Sequence, residues 1–162
     1  MPNFVYKTNS SNQTKKLSNL LASCTKSQRR SNLKSALIFA LTGELGSGKT
    51  TFVQGFLRGL GVRKKITSPT FVITKSYKLK AKSYQTVYHI DCYRIKRPSE
   101  LLKLGIKEIL NDSRNIVLIE WAEKIKRILP KNFIWIKFQH GEKINNQRII
   151  EFYKKVEPRQ IK

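Results

Sequence analysis

The chain has 162 residues, with 33 Lys and Arg against 10 Asp and Glu, for a formal charge of +23 at pH 7. That length suits one domain over residues 1–162, able to bury about 70% of its unfolded surface. No apolar run approaches the ~20 residues that cross a bilayer, Met1–Lys7 lacks the apolar core of a secretory signal, and Cys24 and Cys92 show no zinc or redox spacing, so a cytoplasmic protein without membrane contact is expected.

An amphipathic helix is predicted over about Gln13–Cys24, with Leu17, Leu20 and Leu21 on one face and Ser10, Ser11 or Asn12 as its cap. Residues 27–35, polar and basic around Arg29-Arg30, read as a surface linker. Ala36–Leu41 is a continuous apolar run, which suits a strand buried on both faces. Gly43-Glu44-Leu45-Gly46-Ser47-Gly48-Lys49-Thr50 then fits the phosphate-loop pattern G-x-x-x-x-G-K-[ST]. After it, Phe52, Val53, Phe56, Leu57 and Leu60 recur at helical spacing, and Gly59 or Gly61 can end that helix. Gly61–Pro69 is a polar loop without a period.

Thr70–Leu79 and Tyr84–Asp91, separated by Lys80-Ala81-Lys82-Ser83, predict an antiparallel hairpin. Pro98 opens a short helix, Ser99–Leu104, closed by Gly105. Asn115–Trp121 contains Ile116-Val117-Leu118-Ile119, a second strand buried on both faces. Asn132–Gln139 and Gln147–Tyr153 predict an antiparallel edge pair, and the tail 157–162 is expected to fray. Together these elements predict an α/β protein: a three-layer, P-loop NTPase-like mixed sheet with antiparallel hairpins. It has fewer helices and more antiparallel character than a doubly wound kinase.

Strand, Gly-rich turn and helix in that order are the context a phosphate loop needs. A helix N-terminus offers unpaired N–H groups and partial positive charge to a triphosphate, and glycines at 43, 46 and 48 let those amides turn inward. The predicted nucleotide-binding set is Gly43, Glu44, Leu45, Gly46, Ser47, Gly48, Lys49, Thr50 and Thr51. Lys49 would reach the β- and γ-phosphates and the Thr50 hydroxyl would bind Mg²⁺. A phosphate-loop enzyme also needs a carboxylate at a strand end beside the loop. Asp91, ending Thr86–Ile90, and Glu120, ending Ile116–Ile119, are the two candidates. Either could instead be an ordinary strand-end acid paired with one of the many lysines.

Five stretches in order carry a resemblance: Gly43–Phe52; Ser68-Pro69-Thr70-Phe71; Tyr88-His89-Ile90-Asp91-Cys92-Tyr93-Arg94; Glu100-Leu101 with Leu104-Gly105-Ile106; and Leu118-Ile119-Glu120-Trp121. The chain resembles, over about Asn3–Pro130, the bacterial TsaE (YjeE) family, the small ATPase of tRNA N6-threonylcarbamoyladenosine (t6A) biosynthesis. The resemblance implies ATP and Mg²⁺ as cofactors, with Lys49 and the loop amides on the phosphates and Thr50 with Glu120 on the metal. It implies Lys49, Asp91 and Glu120 as the catalytic group, Asp91 orienting water or standing in the second metal shell. Ser68-Pro69-Thr70 resembles the family's switch-like loop. Trp121 would pack near the nucleotide and Thr14 would lie near its adenine end, although a core aromatic and a helix-start residue are equally ordinary readings. Arg94 would stabilise transition-state charge or dock a partner, unless it merely pairs with Glu44 or Asp112; His89 reads first as a structural histidine. Ala122, where many members have Pro, and Cys92, where Leu is usual, depart from the pattern without touching the phosphate chemistry. The implied partners are the threonylcarbamoyltransferase (TsaD) and its inactive paralogue (TsaB), with any tRNA contact indirect.

The charge has two readings: an electrostatic footprint for RNA or an RNA-bound partner, or drift toward Lys in an A-rich coding sequence. Basic residues are scattered along the chain, and no basic helix or aromatic-interleaved stretch stands out. Other functions are a GTPase, which lacks its N-K-x-D and D-x-x-G motifs here, a small-molecule kinase, which lacks an Arg-rich lid, and a basic RNA-binding module with a vestigial nucleotide site.

Overall fold

The computed structural model describes residues 1–27, 35–80, 83–141 and 146–154. Residues 28–34 of the expected linker, Ala81 and Lys82 of the expected hairpin connection, and the expected frayed tail lie outside it. The described elements are β1 (Phe4–Thr8), α1 (Ser11–Ser27), β2 (Leu37–Gly43), α2 (Lys49–Gly59), β3 (Thr74–Lys78) and β4 (Thr86–Asp91), followed by α3 (Pro98–Leu102), α4 (Ile106–Asn111), β5 (Asn115–Glu120), a 3₁₀ helix (Ala122–Ile128), β6 (Ile134–His140) and β7 (Arg148–Lys154). The strands form one mixed sheet of order β1-β7-β6-β2-β5-β4-β3. Its centre, β6-β2-β5-β4, is parallel. Antiparallel β3 closes one side, and antiparallel β7 and β1 close the other.

The continuous apolar runs are explained by a core on each face of the sheet. Along β2, Leu37, Phe39 and Leu41 point into one core with Phe52 and Phe56 of α2. Ala36 and the alternate residues Ile38 and Ala40 point into the other, with Leu101, Ile106 and Ile125. β5 divides the same way, Ile116 and Leu118 against Val117 and Ile119. A strand buried on both faces has no polar side to alternate with. The result is the expected three layers, with α1 and α2 on one face and α3, α4 and the 3₁₀ helix on the other.

Two glycines set the packing of the first layer. A Cβ on Gly55 would lie 2.4 Å from the Lys15 carbonyl oxygen, and one on Gly59 would lie 2.6 Å from that of Asn19. They stand four residues apart, on one face of α2, so α1 rests almost directly on the α2 backbone. The face α1 turns to this seam is small: Thr14, Ser18, Ala22 and Thr25 are all buried. Leu17 and Leu21 flank it and pack on the core. Leu20, expected on the same face, points away and is 66% exposed; at 100° per residue it sits well off the seam's centre. Ser10 is the cap, its hydroxyl accepting from the Gln13 amide at 3.2 Å.

Other differences are local. β1 is an addition to the expected elements, because Phe4–Lys7 is exposed and carries no buried alternation. By pairing with β7 it takes the sheet edge, and β6 pairs in parallel with β2, so β6 and β7 are an antiparallel pair but not the edge expected. The hairpin strands are shorter than predicted, and α4 and the 3₁₀ helix are additional, too short to show a helical period.

Candidate functional site

The C-terminal ends of β2, β4 and β5 converge on one cleft of about 320 Å³, lined by Leu45, Gly46, Gly48, Lys49, Thr50, Thr51, Ser68, Thr70, Asp91, Tyr93, Glu120 and Trp121. The loop between β2 and α2 is shaped by residues that do not reach its wall. Gly43 has φ +136°, and a Cβ there would lie 2.2 Å from the Phe138 carbonyl oxygen, so β6 forbids any side chain. The buried Ser47 hydroxyl donates to the Glu44 carbonyl at 2.7 Å and ties the loop to itself, while the Glu44 side chain is exposed.

Lys49, 4% exposed, folds back over this loop. Its Nζ donates to the carbonyls of Gly43 at 2.7 Å and Glu44 at 2.8 Å, and lies 3.9 Å from the centroid of the Trp121 ring. Burial pushes the Lys49 pKa below its ordinary value, against the opposing pull of Glu120, Glu123 and Asp91.

The two strand-end carboxylates are neighbours, because Asp91 of β4 pairs in register with Glu120 of β5. Their partners differ. Glu120, 2% exposed, takes the Thr50 hydroxyl on Oε2 at 2.7 Å and His89 Nε2 on Oε1 at 2.8 Å. Asp91 takes Ser68 at 2.8 Å and Thr70 at 2.5 Å on Oδ2, and the Tyr93 amide at 2.9 Å on Oδ1. Glu120 is thus tied to the phosphate loop, and Asp91 to the Ser68–Thr70 loop.

Two non-glycine residues with left-handed backbone flank this pair: Trp121 at φ +58° and the β-branched Ile73 at φ +62°. The Ile73 carbonyl accepts the Asp91 amide at 2.9 Å. Trp121 turns the chain out of β5, which leaves its ring over Lys49 and against Tyr93, centroids 5.1 Å apart.

Besides Gly43, Glu44 and Ser47, three further sequence candidates lie off the cleft. Thr14 is fully buried, its hydroxyl shared with Thr8 at 2.8 Å and donated to the Ser10 carbonyl at 3.2 Å, so it secures α1 to β1. Arg94 pairs with neither Glu44 nor Asp112; it lies over the exposed Phe71 ring, 4.3 Å from its centroid, and Asp112 bonds Arg114. His89, fully buried, meets the site only through Glu120. Sequence reasoning gave no role to Tyr93, His140 or Arg148. Tyr93 walls the cleft, His140 Nε2 stands 3.3 Å from the Leu45 carbonyl oxygen, and the Arg148 side chain crosses 2.7 Å from where a Gly48 Cβ would be. Only Tyr93 stands near a recognised acid in the chain; the other two reach the loop across the sheet.

The donor set fits a magnesium–triphosphate group. The Thr50 hydroxyl and Glu120 carboxylate are hard oxygen ligands side by side. Among the described residues no three His, Cys, Asp or Glu side chains form a metal cage, so an ion here would take the rest of its shell from water or phosphate oxygens. Gly48 is left-handed at φ +102° and stands at the N-terminus of α2, where free amides suit phosphate.

A lysine folded over a glycine loop between a buried strand and a helix, with two strand-end acids beside it, defines a phosphate-loop protein of the nucleotide-binding class. The family model described as "Threonylcarbamoyl adenosine biosynthesis protein TsaE" matches residues 8–150. The chain belongs to the TsaE family. Over 142 residues it is 39% identical to a Rickettsia conorii protein named tRNA threonylcarbamoyladenosine biosynthesis protein TsaE, covering 87% of this chain and 73% of that one. A Haemophilus influenzae protein of the same name is 36% identical over 115 residues, 71% of this chain and 70% of the relative. Among solved structures, Bacillus subtilis YdiB superposes with a TM-score of 0.72 at 28% identity, over 96% of this chain and 88% of that one. Among the described residues no helix is long and apolar enough to cross a membrane.

Proposed function

We propose that the chain binds ATP with Mg²⁺ in this cleft and hydrolyses it as a cytoplasmic subunit of tRNA threonylcarbamoyladenosine biosynthesis, acting with TsaD and TsaB. The observation that carries the reading is the Thr50–Glu120 hydrogen bond beside Lys49, a hydroxyl and a carboxylate held together where a phosphate chain would end. Lys49 exchanges the Gly43 and Glu44 carbonyls for phosphate oxygens, which offsets its burial. Bound Mg²⁺, on Thr50 and Glu120, supplies charge neutralisation at the phosphates. Hydrolysis is in-line attack of water on the γ-phosphorus, with the loop amides and Lys49 stabilising the developing charge. Asp91 orients that water through the Ser68 and Thr70 hydroxyls it holds at the cleft wall. Trp121 shields Lys49 from solvent and, with Tyr93, forms an aromatic wall.

The test is Mg²⁺-dependent hydrolysis of ATP and GTP by the purified chain, with and without the TsaD–TsaB heterodimer and tRNA. ATP-selective turnover that rises with the heterodimer is expected. A preference for GTP, or indifference to the heterodimer, would break the assignment while leaving the phosphate loop standing.

A further inference from the structure

No Asp or Glu precedes Glu44, and none lies between Glu44 and Asp91. The fold turns this one-dimensional gap into a surface, because α1, α2 and the loop after α2 all come from the acid-poor half and α1 and α2 share one layer. Lys15 and Lys16 of α1 and Arg58 of α2 line, with Asn19 and Leu20, a groove of about 380 Å³ floored by Gly55. The Arg58 guanidinium donates to the carbonyls of Val62 at 3.0 Å and Arg63 at 2.8 Å, which holds the exposed Arg63, Lys64 and Lys65 beside it.

None of these six cations forms an ion pair among the described residues. The opposite layer is built differently: Glu100, Glu108, Asp112 and Glu123 stand among its lysines and arginines. Compositional drift toward lysine would enrich both layers and has no reason to strip acids from one of them. Uncompensated cations in a concave groove repel one another and concentrate a polyanion. Among the described residues lining the groove the one exposed large apolar side chain is Leu20, at 66%, too little to anchor in a lipid interface.

We propose that the α1/α2 face is a direct RNA-docking surface, its Lys15–Lys16–Arg58 groove seating phosphates of the RNA backbone. The choice of RNA rests on the tRNA-modification reading above; the cationic surface does not. Asn19 adds an amide that can bond a ribose 2′-hydroxyl, the group that separates RNA from DNA. Docking there leaves the nucleotide cleft open, since the two sets of lining residues share no member.

The test uses the full chain, a fluorescent tRNA transcript and anisotropy titrations across a salt series. A face variant, K15Q/K16Q/K64Q/K65Q, leaves Arg58 in its structural bonds. A control of equal charge, K103Q/K107Q/K126Q/R127Q, alters the opposite layer. Wild-type binding should weaken linearly in log salt; the face variant should lose about tenfold or more in affinity and flatten the slope by roughly 0.7–0.9 for each phosphate it no longer neutralises. The control should stay within about twofold, because it neutralises the same phosphates as the wild type. Equal losses in both variants, no salt-dependent binding by the wild type, or equal affinity for duplex DNA would each overturn the proposal, as would loss of anionic-vesicle binding in the face variant with tRNA binding intact. ATP turnover measured on the same variants separates the two readings: a chain that binds tRNA through this face yet hydrolyses no ATP sinks the ATPase assignment alone.

Discussion

Thr50 and Glu120 stand 70 residues apart in the chain, yet Thr50 Oγ1 donates to Glu120 Oε2 at 2.7 Å. The bond joins the N-terminus of α2 to the end of β5, and β2, hydrogen-bonded in parallel to β5, sets the spacing. Glu120 is buried and carries a second bond from His89, so its orientation is set before any ligand arrives. If Thr50 and Glu120 hold the ion as proposed, a site fixed this way needs little reorganisation on binding.

Substitutions at Lys49 and at Glu120 should separate binding from turnover. Lys49→Ala is expected to abolish ATP binding by fluorescence titration. Glu120→Ala should retain binding and lose about 100-fold or more in turnover, the scale of deleting one charge-stabilising group. Wild-type turnover in Glu120→Ala would remove that residue from the mechanism. Because burial lowers the Lys49 pKa, the free protein's lysine loses its proton at a lower pH than an exposed lysine does. ATP affinity should therefore fall as pH rises through the alkaline range, and Lys49→Arg should blunt the fall.

His89 acts on the site through Glu120 alone. A carboxylate oxygen only accepts, so His89 Nε2 is the donor in their 2.8 Å bond. His89→Leu leaves Glu120 Oε1 without that partner and should raise the Mg²⁺ concentration for half-maximal turnover by about tenfold, the usual scale for a ligand's supporting hydrogen bond. His89→Gln, which keeps a donor, should recover part of it. A merely structural histidine would lower the melting temperature in both variants without moving the Mg²⁺ requirement.

Gly55 should tolerate no methyl group. Alanine gains about 1 kcal/mol of helix propensity over glycine, but here its Cβ would lie 2.1 Å from Ser18 Oγ and 2.4 Å from a backbone oxygen. Overpacking typically costs about 1–3 kcal/mol, and a backbone neighbour cannot turn aside, so the steric effect wins. Urea unfolding of Gly55→Ala should show a net loss; a gain in stability would mean that α1 does not rest on α2 as described.

The two cysteines should react unequally. Cys92 is fully buried, and burial pushes its thiol up to about 12, so at pH 8 it is neither accessible nor ionised. Cys24 is exposed. A thiol reagent should modify one cysteine in the folded chain and two in urea, with the fast site mapping to Cys24.

The parts legible in the sequence are those made by adjacent residues. The phosphate loop, Lys49 and Thr50 are contiguous, so their spacing encodes their geometry directly. The runs Ala36–Leu41 and Ile116–Ile119 declared strands buried on both faces, because no polar alternation interrupts them. Leu20 shows the limit: helical spacing marks an apolar face, but α1 meets α2 through small residues opposite Gly55 and Gly59, and the leucine is left outside.

By itself, then, the sequence carried the phosphate-loop pattern, the two strand-end acids and the helix–sheet layering, each in local composition and period. Only the tertiary structure decided which acid serves which loop. The in-register pairing of β4 with β5 brings Asp91 beside Glu120, while hydrogen bonds spanning 21 to 70 residues assign Asp91 to Ser68 and Thr70 and Glu120 to Thr50 and His89. It also decided that β1 closes the sheet and that Lys15, Lys16 and Arg58, far apart in the chain, line one groove. Such contacts depend on strand order and helix docking, and no short-range period records either.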